Sequence, residues 1–235
     1  MHCPATAAST LRPTPGAPAN VSTRNEPAPP AGQFIHSVLS FTRLDIPQLD
    51  LYEAAVTFAA DTDPVTAHER LAQVFGGKAG DGQFLFRLDS AVPGRYWVRS
   101  VEPWPRRPQG ALGALEPKRE MIQLAEGLMY RFTLPVCVGQ EHIEGGEKRV
   151  VPFDSPGMVH EWLKGNAAAF GVRPLMTDIA IATLRFAHRG ANFRIQHAVI
   201  EGALEVANAE ALRKRLLKGF GSHRRAGLGM LLLSA

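Results

Sequence analysis

Two cysteines in 235 residues leave no disulfide framework to carry a fold. Cys3 falls in a proline-rich stretch and Cys137 in a strand-like run, so a reducing, cytoplasmic setting is the expectation. No apolar run approaches the ~18 residues needed to cross a bilayer. The opening residues also lack the continuous apolar segment of a secretory signal, and no membrane partner is expected. His142, His160, His188 and His197 lack the paired spacing of zinc ligands, and no cysteine pair stands near them. Gly76-Gly77-Lys78 lacks the Gly-x4-Gly-Lys-Ser/Thr order of a phosphate-cradling loop, and no Gly-x-Ser-x-Gly elbow occurs. These absences argue against a metal centre, a P-loop nucleotide site and a serine hydrolase. No cofactor is expected. What is present, 45% hydrophobic and 20% charged residues, suits a globular chain with a sizeable core.

Acidic residues are scarce in one region only. From Lys164 to Ala235 eleven Lys/Arg face four acids, giving that third a net +7 while the whole chain carries +4. A basic segment on a near-neutral body suits a polyanionic partner such as nucleic acid, and suits a solubilising surface equally.

The first 32 residues hold seven prolines and no apolar period, as expected of a flexible or extended arm. A strand is expected at Phe34–Phe41, followed by a segment of unclear structure from Asp45 to Thr62. Asp63-Pro64 pairs an N-cap with proline at the first helical position, and Ala67, Leu71, Val74 and Phe75 then mark one face of a helix ended by Gly76-Gly77. Strands are expected at Phe84–Leu88 and Tyr96–Val101 around the turn Pro93-Gly94, then a loop or short helix over Glu102–Pro117, then a strand at Arg119–Leu124. The order returns in the second half. A strand spans Leu128–Val138, Gly145-Gly146 forms a turn, and a helix spans Pro156–Phe170. Strands Ile179–Ala187 and Phe193–Val206 follow, then a helix Ala209–Lys218 capped by Asn208, and a last strand Leu228–Leu233. A duplicated β-α-β-β-α-β order predicts an α+β fold of two tandem ferredoxin-like (RRM-like) βαββαβ domains. The expected boundaries are an arm at 1–32, one domain at 33–124 and a second at 125–235, with a glycine-rich loop at 219–229.

That loop, Gly219-Phe220-Gly221-Ser222-His223-Arg224-Arg225-Ala226-Gly227-Leu228-Gly229, sits between the last helix and the last strand. Its four glycines allow close backbone approach, and its basic centre favours an anionic neighbour. A plain glycine-rich turn with solvated cations has the same spacing.

In this position the loop resembles the signature loop of the repeat-associated mysterious proteins of CRISPR systems, nearest to the CRISPR RNA-processing endoribonucleases of type I-E and type IV. The likeness covers about residues 34–235 and includes Asp63–Leu71, Phe84–Leu88, Leu128–Phe132 and His197–Leu204. It implies a metal-independent RNase that cuts a CRISPR precursor transcript within the repeat, 3′ of a stem-loop. The 2′-hydroxyl attacks, leaving a 2′,3′-cyclic phosphate and a 5′-hydroxyl. It also implies two kinds of partner, the repeat RNA stem-loop and the other subunits of an effector complex. A non-catalytic RNA-binding subunit of such a complex is the alternative.

Cleavage of this kind needs a proton-transfer group and positive charge at the phosphate. The resemblance places a catalytic histidine in the first helix, where this chain has His68; the helical wheel sets it at the edge of the buried face. Val65 stands where some relatives carry a helper tyrosine. Arg224 occupies the loop position where relatives often carry lysine, and a guanidinium offers phosphate two parallel donors. His223 and Arg224 are the next candidates for catalysis. RNA contacts are expected from Arg225, from the hairpin arginines Arg185, Arg189 and Arg194, from Arg106 and Arg107 in a basic-aromatic cluster, and from the backbone at Gly219, Gly221, Gly227 and Gly229.

Overall fold

Among the described residues, antiparallel strands form two main sheets of the same spatial order and a separate two-stranded hairpin, accompanied by three α-helices. The computed structural model describes residues 47–77, 81–104, 106–144 and 147–234. The expected arm at 1–32, the expected strand Phe34–Phe41 and the turn Gly145-Gly146 lie outside the described residues.

The first described strand, β1 (Gln48–Thr57), occupies the segment whose structure the sequence left open. Its buried residues alternate at Leu49 and Leu51, then run together from Ala54 to Val56. Helix α1 (Pro64–Phe75) begins as expected. Asp63 accepts hydrogen bonds from the amides of Val65 (2.9 Å) and Thr66 (3.0 Å), Pro64 stands in the first turn, and Gly76 closes the helix in the left-handed conformation. Strands β2 (Phe84–Leu88) and β3 (Arg95–Ser100) follow. Next come a two-residue strand β4 (Gly113–Ala114) and β5 (Lys118–Gln123), both paired antiparallel with β1. The sheet order β2-β3-β1-β5 is that of a ferredoxin-like unit.

Among the described residues no helix forms between β3 and β5. Four prolines (Pro103, Pro105, Pro108, Pro117) remove amide donors from this stretch. Instead Trp104 packs edge-on against Phe75 with ring centroids 5.8 Å apart, and Leu112 and Leu115 donate their amides to β1 carbonyls.

The second sheet runs β11-β6-β10-β9, built from β6 (Met129–Val136), β9 (Val172–His188), β10 (Ala191–Val206) and β11 (Leu232–Ser234). Helices α2 (Pro156–Phe170) and α3 (Ala209–Lys218) cover it, capped by Ser155 and Asn208. Strand β9 starts seven residues before the expected Ile179, and the long β9–β10 ribbon turns at Arg189 (φ 50°) and Gly190 (φ 79°), the type I′ conformation that suits a twisted hairpin. A separate hairpin of β7 (Gly139–Glu144) and β8 (Glu147–Pro152) lies between β6 and α2 in the chain; of it the sequence suggested a turn but neither strand. The last strand is shorter than expected because Leu228–Leu231 is buried without joining the ladder; Gly229 instead donates to the Pro135 carbonyl at 2.6 Å.

Two apolar clusters hold these layers. The smaller places Ala67 and Leu71 of α1 against Val56, Phe58, Phe84, Phe86, Tyr96 and Val98. The larger joins Leu49, Leu51 and Leu124 of the first half to Leu134, Ile200, Leu212, Leu216 and Leu231 of the second. A buried Arg99, 4% exposed, adds a polar tie: its Nε meets Glu53 at 2.5 Å and its Nη1 donates to the Leu231 carbonyl at 2.7 Å.

Candidate functional site

The glycine loop is held by backbone rather than by its charged side chains. Ser222 donates both its amide (2.9 Å) and its hydroxyl (3.1 Å) to the Cys137 carbonyl, just beyond the end of β6. Phe220 donates to the Gly229 carbonyl at 2.9 Å, closing the loop on itself. Glycine is required at two of these contacts. A Cβ on Gly221 would stand 2.4 Å from the Cys137 oxygen, and one on Gly229 would stand 2.2 Å from the Phe220 oxygen, both at positive φ. Between them His223 adopts the left-handed conformation (φ 58°) and leads into a 3-10 turn over Arg224–Ala226. Such a conformation costs a non-glycine residue of order 1–2 kcal/mol and recurs at functional sites.

This arrangement turns His223, Arg224 and Arg225 toward an open cavity of about 650 Å3, which they line together with Val65, Asp81, Phe186, Phe193, Arg194 and Ser222. Four parts of the chain meet there: the first turn of α1, the segment before β2 at Asp81, the β9–β10 hairpin and the glycine loop. The Ser222 hydroxyl lies 3.0 Å from His223 Nδ1. Although His223 stays exposed, the surrounding protein desolvates its imidazole in part and lowers the pKa below the ordinary histidine value, which favours the neutral ring. Arg224 donates from Nη1 to the Gly221 carbonyl at 2.9 Å, bracing the guanidinium across the loop. Asp81 also lines the cavity, where Arg194, Arg224 and Arg225 outnumber it.

The hairpin reaches this cavity because it is tied to α1. His188 Nδ1 sits 3.3 Å from the Asp63 carboxylate and 3.4 Å from the Thr66 hydroxyl, and the exposed Arg189 pairs with Glu69 at 2.9 Å. Burial raises the Asp63 pKa, but hydrogen bonds from the Thr66 hydroxyl and amide and from His188 outweigh it, leaving the carboxyl below its usual range. Arg185 and Arg194 are direct cross-strand neighbours. Like charges in that register repel, and neither has an ion-pair partner among the described residues.

Several expected site residues, among them Arg185 and Arg189, do not line this cavity. His68 is 5% exposed and packed between Phe84 and Phe86, with ring centroids 5.9 and 6.0 Å away; it does not line the cavity. The helical wheel had put it at the rim. It stands one turn behind Val65, about 4.5 Å further along the axis, where the rings of Phe84 and Phe86 in β2 pack against it. Arg106 donates to the Gln73 carbonyl at 3.0 Å, near the opposite end of α1, about 13 Å along the axis from Pro64. Arg107 is exposed in the same stretch, also away from the cavity. Gly219 and Gly227 shape the loop without lining the cavity. The interleaving of aromatic and basic residues along the hairpin is legible in the sequence, but the Asp63–His188 tie and the place of Phe186 and Phe193 in the cavity wall are not. Among the described residues, no group of three or more His, Cys, Asp or Glu is placed to hold a metal ion. No described helix is long and apolar enough to cross a membrane.

Comparison with known proteins gives this geometry a context. The duplicated ferredoxin-like fold is shared with an RNA-bound Cse3 from Thermus thermophilus, described as a pre-cleavage complex, at 20% identity and a TM-score of 0.62, over 79% of this chain and all of that one. It is shared with the CRISPR-associated protein Cas6e from Escherichia coli str. K-12, at 20% identity and a TM-score of 0.60, over 79% of this chain and 98% of that one. A chain of a CRISPR RNA-guided surveillance complex has the same fold at 17% identity and a TM-score of 0.59, over 78% of this chain and 99% of that one. No curated protein sequence matches. The family model for CRISPR associated proteins matches residues 42–235, and the chain belongs to that family.

Proposed function

We propose that this protein is an endoribonuclease that cleaves CRISPR precursor RNA within the repeat, 3′ of a stem-loop, without a metal ion, and stays with the product as a cytoplasmic effector-complex subunit. The observation that carries this reading is the convergence of His223, Arg224, Arg225 and Arg194 around one open cavity. The relatives' descriptions, an endoribonuclease bound to RNA and a surveillance complex, support the same class of substrate and partner.

In this reading the phosphate at the cut lies against Arg224 and Arg225, whose guanidinium groups stabilise the charge of the phosphorane-like transition state. His223, neutral near pH 7, takes the proton of the attacking 2′-hydroxyl. The new 2′-oxygen–phosphorus bond expels the 5′-oxygen, which gains a proton, leaving a 2′,3′-cyclic phosphate and a 5′-hydroxyl. The stem lies along the exposed face of the hairpin, where Arg185 and Arg194 meet its phosphates and relieve their mutual repulsion.

The burial of His68 favours a second reading, in which the chain binds the stem-loop and does not cut it. Incubation of the full chain with its repeat RNA in EDTA separates the two. Cleavage to a cyclic phosphate, lost in His223→Ala and Arg224→Ala, is expected. RNA that is tightly bound but intact would establish the second reading. An active His223→Ala beside a folded, inactive His68→Ala would move the proton-transfer role to His68.

A further inference from the structure

Phe186 and Phe193 form the apolar wall of the cavity whose other wall is basic, and no step of the cleavage uses them. They are direct partners in the β9–β10 register, with ring centroids 5.3 Å apart and planes within 13° of parallel. A stacked cross-strand pair stabilises a hairpin, and burying both rings would serve that purpose best. Phe193 instead remains 43% exposed at the cavity. On the same cavity are the guanidinium-bearing residues Arg194, Arg224 and Arg225. An open aromatic face beside a cluster of guanidinium groups is the combination that holds an unpaired nucleotide, the base on the ring and the phosphate on the cations.

We propose that the Phe186–Phe193 pair is a stacking platform for one unpaired base of the RNA, adjacent to the phosphate held by the glycine loop. This rests on the reading of the chain as a binder of structured RNA and adds what selects the strand at the cut. The base stacks on the open face of Phe193, and Phe186 backs it from behind. Stacking needs only a π-face, so the platform accepts any base. Its effect is to fix the unpaired strand beside the paired one.

The test uses the full chain and the repeat stem-loop RNA with its single-stranded 3′ flank. A parallel set carries one abasic site at each flank position, and affinity is read by fluorescence anisotropy at fixed salt. One abasic position is expected to weaken wild-type binding about 10-fold, equivalent to ~1.4 kcal/mol. Phe193→Leu, which keeps the apolar bulk and removes the π-face, should weaken intact RNA by a similar factor and be indifferent to that abasic site. Phe193→Tyr should behave as wild type. The platform is overturned if no abasic site matters to the wild type, or if Phe193→Leu weakens intact and abasic RNA equally. Either result leaves binding of the stem-loop standing. Failure of the wild type to bind the stem-loop even at low salt overturns both the platform and the function on which it rests.

Discussion

Replacing Gly221 by alanine tests whether the glycine loop is seated as described. Gly221 has φ 62°, and an added Cβ would stand 2.4 Å from the Cys137 oxygen and 2.6 Å from Val136 Cγ2. Two costs follow. The left-handed conformation costs an L-residue about 1–2 kcal/mol, and forcing a methyl group into packed backbone costs about 1–3 kcal/mol more. Gly190, at φ 79° with nothing within 4 Å of its ideal Cβ, carries the first cost alone and serves as the internal control. Gly221→Ala should therefore lose about 3 kcal/mol, and a chain of this size loses about 2–4 °C of melting temperature per kcal/mol. The expected fall is about 6–12 °C for Gly221→Ala, against roughly one-third to two-thirds of that for Gly190→Ala. Thermal unfolding followed by circular dichroism reads both. Because the Gly221 carbonyl accepts the Arg224 guanidinium, RNA affinity should also fall more in Gly221→Ala. If the two variants melt within about 1 °C of each other, the loop does not rest on Cys137 and the contact reasoning is wrong.

Four other outcomes follow from the same contacts. Glu53→Ala leaves Arg99 buried with only the Leu231 carbonyl for its charge, and urea unfolding should show a loss of about 3–5 kcal/mol; a loss below about 1 kcal/mol would contradict the tie. Asp63, with its pKa lowered in the fold, contributes stability that is complete above its unfolded-state value and fades as pH falls through the lower folded-state value. Asp63→Asn should thus destabilise the protein at pH 7 and flatten the melting-temperature profile below about pH 4. His223, with its pKa lowered by partial desolvation, predicts a cleavage rate that climbs with pH through a pKa below about 6.5 and levels off; a limb rising only above pH 7 would exclude it as the base. Glu69→Gln should change stability by less than about 1 kcal/mol, since its pair with Arg189 is exposed, while RNA affinity rises because Arg189 no longer exchanges a carboxylate for a phosphate.

Local chemistry made the helices legible. Asp63-Pro64, Ser155-Pro156 and Asn208 are caps whose side chains satisfy helix-end amides, and each helix begins where its cap predicts. The strand at Gln48–Thr57 was not legible. Its polar start and its alanines resemble a loop until Leu49 and Leu51 find partners from the second half. The missing helix before β5 could be read from its prolines, but the choice between loop and helix depended on what else would cover α1; Trp104 does so.

The sequence by itself determined the three helices, most of the strands of the two main sheets and the basic, glycine-framed loop, because periodicity, caps and glycine spacing act over a few residues. Only the tertiary structure decided which candidates share a site. It buried His68 under Phe84 and Phe86 and left Arg106 near the far end of α1. It brought Phe186, Phe193 and Arg194 to the loop across the Asp63–His188 tie. The tie between α1 and the hairpin joins residues 125 positions apart. No local pattern encodes such contacts, since they depend on how two sheets pack around one shared core.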